Sequence, residues 1–148
     1  MAEIGFYHLT RTGLDATLPK LLGRTLEAGE RAVVRCGSAE RLAALDTALW
    51  LCADPPWLPH GTATTGQADL QPIWLTTGPD VPNGAGFLFL VDGAGATDLA
   101  NFRRVFDLFD GNDPTVVQQA RERWRLAKSA GHDLSYWQQT PRGWEKKA

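Results

Sequence analysis

Apolar positions along this chain change period several times, and each change marks an element. Glu3–Leu9 (EIGFYHL) is apolar or aromatic at most positions and predicts a buried strand. Leu14, Leu18, Leu21, Leu22 and Leu26 then recur at helical spacing. Pro19 falls inside this stretch and is expected in or near the first turn, where its missing N–H costs little. Gly29 is a natural C-terminal stop. Arg31–Cys36 (RAVVRC) predicts a second strand. Ser38 is placed to cap a helix bearing Leu42, Leu45, Leu49 and Trp50, which ends before Asp54-Pro55-Pro56. Residues 53–72 are rich in proline, glycine and threonine and predict a long loop. Pro72–Thr77 predicts a third strand. Phe87–Asp92 begins with the unbroken apolar run of a strand covered on both faces. In Phe102–Asp110, Val105, Asp107 and Phe109 alternate against Phe106 and Leu108, as in another strand. Asp113-Pro114 starts a helix, with aspartate as cap and proline at the first helical position; it runs to Ala130 and stops at Gly131. Residues 132–148 show no period.

Strand, helix, strand, helix, strand at this spacing implies an α/β fold with a mostly parallel sheet. The natural candidate is a Rossmann-like three-layer sandwich with helices on both faces. At 148 residues the chain is expected to be one domain, spanning 1–148. Trp144 favours partial docking of residues 140–148 and the trailing lysines favour fraying.

Charge sharpens the picture. Residues 1–113 hold 8 Lys+Arg against 14 Asp+Glu, and residues 114–148 hold 7 against 3. Ala120–Gln139 (ARERWRLAKSAGHDLSYWQQ) concentrates four basic residues, two tryptophans and a tyrosine. A basic end on an acidic body argues against general nucleic-acid binding, which favours a broadly basic surface. It suits a local site for an anionic group. The bland alternative is a solvated helix face.

The phosphate motifs fail on inspection. Gly93-x-Gly95 follows the Phe87–Val91 run, but Asp98 stands where a dinucleotide fingerprint has its third glycine. Gly61–Gly66 has P-loop glycine spacing, but Gln67 replaces the lysine. His8, His60 and His132 share no metal-ligand spacing, and no GxSxG elbow exists. Each histidine reads as structural, with no catalytic, cofactor or metal residue assigned. Cys36 and Cys52 form no CxxC pair, the first residues lack a signal-peptide pattern, and no run approaches the roughly 18 apolar residues of a membrane span. A cytoplasmic protein with reduced thiols is expected.

The last helix is more informative. Val116, Ala120, Trp124 and Ala127 form a face suited to packing on a sheet. Val117, Arg121, Trp124 and Lys128 form a neighbouring stripe. Trp124 belongs to both, at the border of core and surface. An indole ledge beside cations suits a peptide's apolar side chain and carboxylate. A plain core tryptophan flanked by solvated cations is the alternative.

Six segments now stand in order: FYHL, ALDTALW (44–50), WLPHG (57–61), QPIWLTT (71–77), RVFDLFDG (104–111) and Ala120–Gln139. Together they resemble the chi subunit family of bacterial DNA polymerase III holoenzyme over nearly the whole chain. The resemblance implies a non-catalytic adaptor on a Rossmann-like fold without a nucleotide site. Such subunits pair with psi, which tethers them to the clamp loader, and bind the acidic C-terminal tail of single-stranded DNA-binding protein. Carried over by motif, the tail site comprises Phe109, Arg121, Trp124 and Tyr136. The family's lysine one turn before the arginine is Val117 here, and Lys128 is expected to supply the missing charge. Trp57 and its neighbour Leu58 match the psi-facing surface, which in some bacteria serves a helicase-like protein. Two other classes compete: a direct single-stranded nucleic-acid binder using the same patch, and a degenerate nucleotide-binding enzyme.

Overall fold

The computed structural model describes residues 2–52 and 58–148. Seven strands and three helices follow in the order β1 (Glu3–Leu9), α1 (Leu14–Glu27), β2 (Ala32–Cys36), α2 (Ala39–Leu51), β3 (Ile73–Thr76), β4 (Phe87–Val91), β5 (Arg104–Asp110), α3 (Pro114–Ser129), β6 (Asp133–Thr140) and β7 (Gly143–Lys146). One sheet contains them all, in the order β3-β2-β4-β5-β1-β6-β7. Every pairing is parallel except β6 with β7. The fold is therefore α/β, and its strand order departs from the 3-2-1-4-5-6 sequence of a dinucleotide-binding sheet.

Alternation along the strands assigns the two faces. Tyr7, Leu9, Val34, Leu75, Phe89 and Leu108 share a core with Leu18 and Leu22 of α1 and Leu45 and Leu49 of α2. Phe6, Val33, Leu88, Val105 and Phe109 share the other core with Ala120 and Ala127 of α3. Among the described residues, α3 covers β1, β5 and β6 of that second face, and no other α-helix joins it there. Val81, Ala85, Ala94, Leu99 and Phe102, from the two β3–β4 and β4–β5 connections, also pack on that face. Asp80 ties the first connection to β3, accepting from the Trp74 indole at 2.9 Å and the Thr76 hydroxyl at 2.5 Å.

Local signals account for the helix limits. Ser38 accepts from the Arg41 N–H at the start of α2. Gly29 and Gly131 adopt φ of +77° and +84° and end α1 and α3 in the same way. At each, the glycine N–H bonds the carbonyl three residues back and the next N–H reaches five back (Glu30 to Thr25, His132 to Ala127). Asp113 accepts from the amides of Thr115 and Val116 at the start of α3. Asp113→Ala should lower stability by about 0.5–2 kcal/mol, as loss of a cap does. Chemical denaturation checks this, with a lower midpoint at unchanged slope.

One expectation needs correction. Helix α1 begins at Leu14, so Pro19 lies in the second turn, where the Asp15 carbonyl loses its usual partner. Pro19 is buried, so its ring is sheltered inside the molecule. For residues 140–148 the sequence offered both docking and fraying, and the structure docks most of the segment. Residues 143–146 pair with β6, the Lys147 N–H bonds the Tyr136 carbonyl at 2.7 Å, and Trp144 meets Tyr7 edge-on at 5.2 Å. Indole burial and strand pairing outweigh the repulsion of two terminal lysines.

Candidate functional site

The second face of the sheet carries β1 side chains Ile4, Phe6 and His8. Pairing sets His8 beside Phe109 of β5, and Phe6 beside Tyr136 of β6. Helix α3 lies above them. Trp124 meets Phe6 edge-on at 5.3 Å and Tyr136 at 5.9 Å. Phe109 and Tyr136 stand 6.1 Å apart, and His8 lies 5.2 Å from Phe109 and 5.8 Å from Tyr136. Phe6, His8, Phe109, Trp124 and Tyr136 thus form one contiguous cluster. Phe109 is buried as its floor, while Trp124 and Tyr136 are half-buried walls.

Charge is distributed unevenly around this cluster. Arg123 is drawn away from it, binding Asp107 through Nε at 2.6 Å and Nη2 at 3.0 Å. Arg125 pairs with Glu122 on the exposed side. Arg121 and Lys128 are exposed and have no hydrogen bond or ion pair among the described residues. Burial raises the Tyr136 hydroxyl above the ordinary phenol range, and Arg121 opposes that rise. Arg121 is therefore near enough to Tyr136 to act on its hydroxyl through charge, with its own donors unspent. Lys128 follows on the same stripe, two turns on, and touches none of the five rings through a cation–π contact. Val117, in place of the expected lysine, is half-buried against the core.

Sequence reading had set His8 apart as a structural residue. Its Nδ1 lies 2.6 Å from the Tyr136 hydroxyl and its Nε2 lies 3.3 Å from the Gly111 carbonyl. Alternation in EIGFYHL was the available signal, since it puts position 8 on the same face as Phe6.

The other proposed surface is only partly described. Trp57 lies outside the described residues. Leu58 is 2% exposed and belongs to the core cluster that includes Leu45 and Leu49 of α2. The exposed apolar side chains nearby are Trp50 and Leu51, at 60% and 78%. Trp50 rests on the His60 ring at 4.8 Å. His60 is fixed in turn by the Leu58 carbonyl at 2.7 Å and Asp46 at 2.9 Å. Sequence reading had named Trp50 with Leu42, Leu45 and Leu49 among the apolar residues of this helix, without setting it apart as exposed.

Three further features bear on chemistry. Asp98, where a fingerprint glycine was sought, accepts a bidentate pair from buried Arg35 at 2.6 and 2.8 Å. At the C-terminal ends of β1 and β5 a crevice of about 710 Å³ is lined by Asp15, Asp92, Asp110 and Asp113 against Arg11 and Arg41. That balance disfavours a phosphate. Burial, with Asp92 adding, pushes the Cys36 thiol up to about 12, which leaves it protonated and a poor nucleophile near neutral pH. No cluster of three or more His, Cys, Asp or Glu suited to a metal occurs among the described residues. No described helix is long and apolar enough to cross a membrane.

A family model for the DNA polymerase III chi subunit, HolC, matches residues 1–135. The chain belongs to the chi subunit family. Membership gives it an accessory place in the DNA polymerase III complex and thus in DNA replication. No individually curated protein matches the chain. The chi match takes in β1, α3 and all the carried-over site residues but Tyr136, which lies one residue past its end.

Proposed function

We propose that this chi-family chain is a non-catalytic adaptor, Rossmann-like in fold and without a nucleotide site. Its task is to link the clamp loader to single-stranded DNA-binding protein by gripping that protein's acidic C-terminal tail. One observation carries the reading: unpaired Arg121 beside the half-open ring cluster of Phe109, Trp124 and Tyr136. The rings receive the tail's last apolar side chain, and the guanidinium pairs with its free carboxylate in the bidentate manner that geometry favours. Lys128 attracts the acidic residues that precede it. The acidic body of residues 1–113 discourages binding to bare DNA. Attraction at long range raises the association rate, and the apolar contact sets the residence time.

The second partner is psi, or a helicase-like protein in its place. The exposed Trp50–Leu51 pair, which precedes Trp57 by a few positions in the sequence, supports this assignment. Partner interfaces concentrate their energy in such aromatic anchors. The adaptor works in the cytoplasm with its replication partners.

A labelled acidic peptide ending in phenylalanine tests the reading by fluorescence anisotropy. It should bind when its last carboxylate is free and lose at least about tenfold when that carboxylate is amidated, as expected for a charge-assisted hydrogen bond. A single-stranded oligonucleotide should bind weakly. Tight oligonucleotide binding with a steep salt slope would instead make the patch a nucleic-acid site.

A further inference from the structure

Tyr136 belongs to the ring cluster proposed to receive the tail, yet it projects from a half-exposed strand near the edge of the sheet. Something must fix its ring. Ring contacts alone leave a phenol free to slide, whereas a hydrogen bond to its hydroxyl sets its reach. We propose that His8 is the positioning residue of the pocket, holding Tyr136 through Nδ1 while Gly111 holds the imidazole through Nε2. This rests on the tail-binding reading above and deepens it.

The geometry assigns the proton. A carbonyl only accepts, so Nε2 must be the donor to Gly111. Nδ1 of the neutral ring is then an acceptor, and the Tyr136 hydroxyl donates to it at 2.6 Å. Gly111 is itself pinned, its N–H bonding the Leu9 carbonyl at 2.7 Å. Its lack of a side chain is required here, because a Cβ would collide with Cδ2 and Nε2 of His8. The turn after β5 is therefore shaped around the imidazole, and the imidazole around the phenol.

This arrangement survives protonation with one change. A charged His8 keeps its Nε2–H bond to Gly111. Its new Nδ1–H donates to the Tyr136 oxygen, so the phenolic hydrogen is released from Nδ1. That hydrogen then points at the pocket and can be given to the peptide carboxylate beside Arg121. The charged and titratable groups facing this imidazole are Tyr136 from β6 and, beyond it, Arg121 from α3; β5 presents Phe109 and the turn presents the Gly111 carbonyl. Among the described residues, no carboxylate pairs with His8. The bound tail supplies one, so tail binding and proton uptake by His8 reinforce each other.

The test uses the full chain and the acidic peptide ending in phenylalanine. Wild-type affinity should rise roughly threefold or more between pH 8 and pH 6. His8→Leu should weaken binding severalfold at pH 7 and flatten the profile. His8→Asn keeps an acceptor near the Nδ1 position; it should restore affinity at pH 8 to within about twofold of wild type but leave the profile flat. A merely structural role would not abolish the pH dependence in both variants while affinity at pH 8 returns in His8→Asn alone. Equal affinity and equal pH dependence in wild type and His8→Leu would overturn the proposal while leaving the tail site standing. Failure of wild type to bind the peptide would remove the tail site instead. The positioning claim then still faces long-range ¹H–¹⁵N NMR of the free protein. The account requires the Nε2–H tautomer at neutral His8, and an Nδ1–H tautomer would overturn it.

Discussion

Arg123→Ala is expected to lower the unfolding midpoint by about 10 °C, the largest stability effect predicted for this molecule. Asp107 is 3% exposed and sits in the core beneath α3. Arg123 supplies both of its strong contacts, at 2.6 and 3.0 Å. Removing one partner of such a pair leaves a buried charge unmatched, which costs about 3–5 kcal/mol. The pH dependence gives a second check. Burial pushes the Asp107 carboxyl above its ordinary range, and Arg123 pulls it part of the way back. In the folded chain this group therefore keeps its proton to higher pH than in the unfolded chain. Its contribution favours the fold in acid and is lost as pH rises through the folded value. Without Arg123 the folded value moves further up. The variant's deficit should be greatest near neutral pH and shrink as pH is lowered toward about 5. Thermal unfolding across that range measures both effects. A deficit independent of pH would show that the lost contact was packing rather than charge.

Arg121→Ala should weaken binding of the acidic peptide at least about tenfold, from loss of roughly 1.5–3 kcal/mol of charge-assisted hydrogen bonding. Its folding stability should stay near wild type, because Arg121 is exposed and has no hydrogen bond or ion pair to lose among the described residues. That contrast separates it from its neighbour two positions on. Arg121 and Arg123 belong to one basic run, yet one serves the surface and the other the core. Arg121→Lys should recover only part of the loss, since an ammonium cannot make the planar paired contact of a guanidinium. Calorimetric titration gives the affinities, and denaturation of the same samples confirms that the fold is intact.

This difference between two arginines marks the limit of what the sequence discloses. Periodicity found β1 to β5 and all three helices, because buried strands and amphipathic helices leave strong local signals. It also placed Trp124 on the border of core and surface, where it lies. The Asp107–Arg123 pair left no local trace: the partners come from different elements and meet only when α3 lies across β5. The partners of His8, which the sequence reads as structural, were hidden for a related reason. Its role depends on Tyr136, 128 positions away, and on a glycine in a third segment. Strands β6 and β7 were invisible to periodicity because their side chains are mostly half-buried or exposed on both faces. Pairing to β1, and the docking of Trp144 on Tyr7, supply what pattern does not. Strand order is likewise a property of crossovers, and the placement of β1 between β5 and β6 has no signature in any one strand.

The central claim is that the ring cluster beside Arg121 receives the end of another polypeptide. Amide and indole chemical-shift mapping during titration with the acidic peptide tests it most directly. The account predicts the largest changes at the Trp124 indole N–H and at the Arg121 and Tyr136 amides, with little change at Trp50 and Leu51. Saturable binding that instead moves Trp50 and leaves the Trp124 indole still would contradict it.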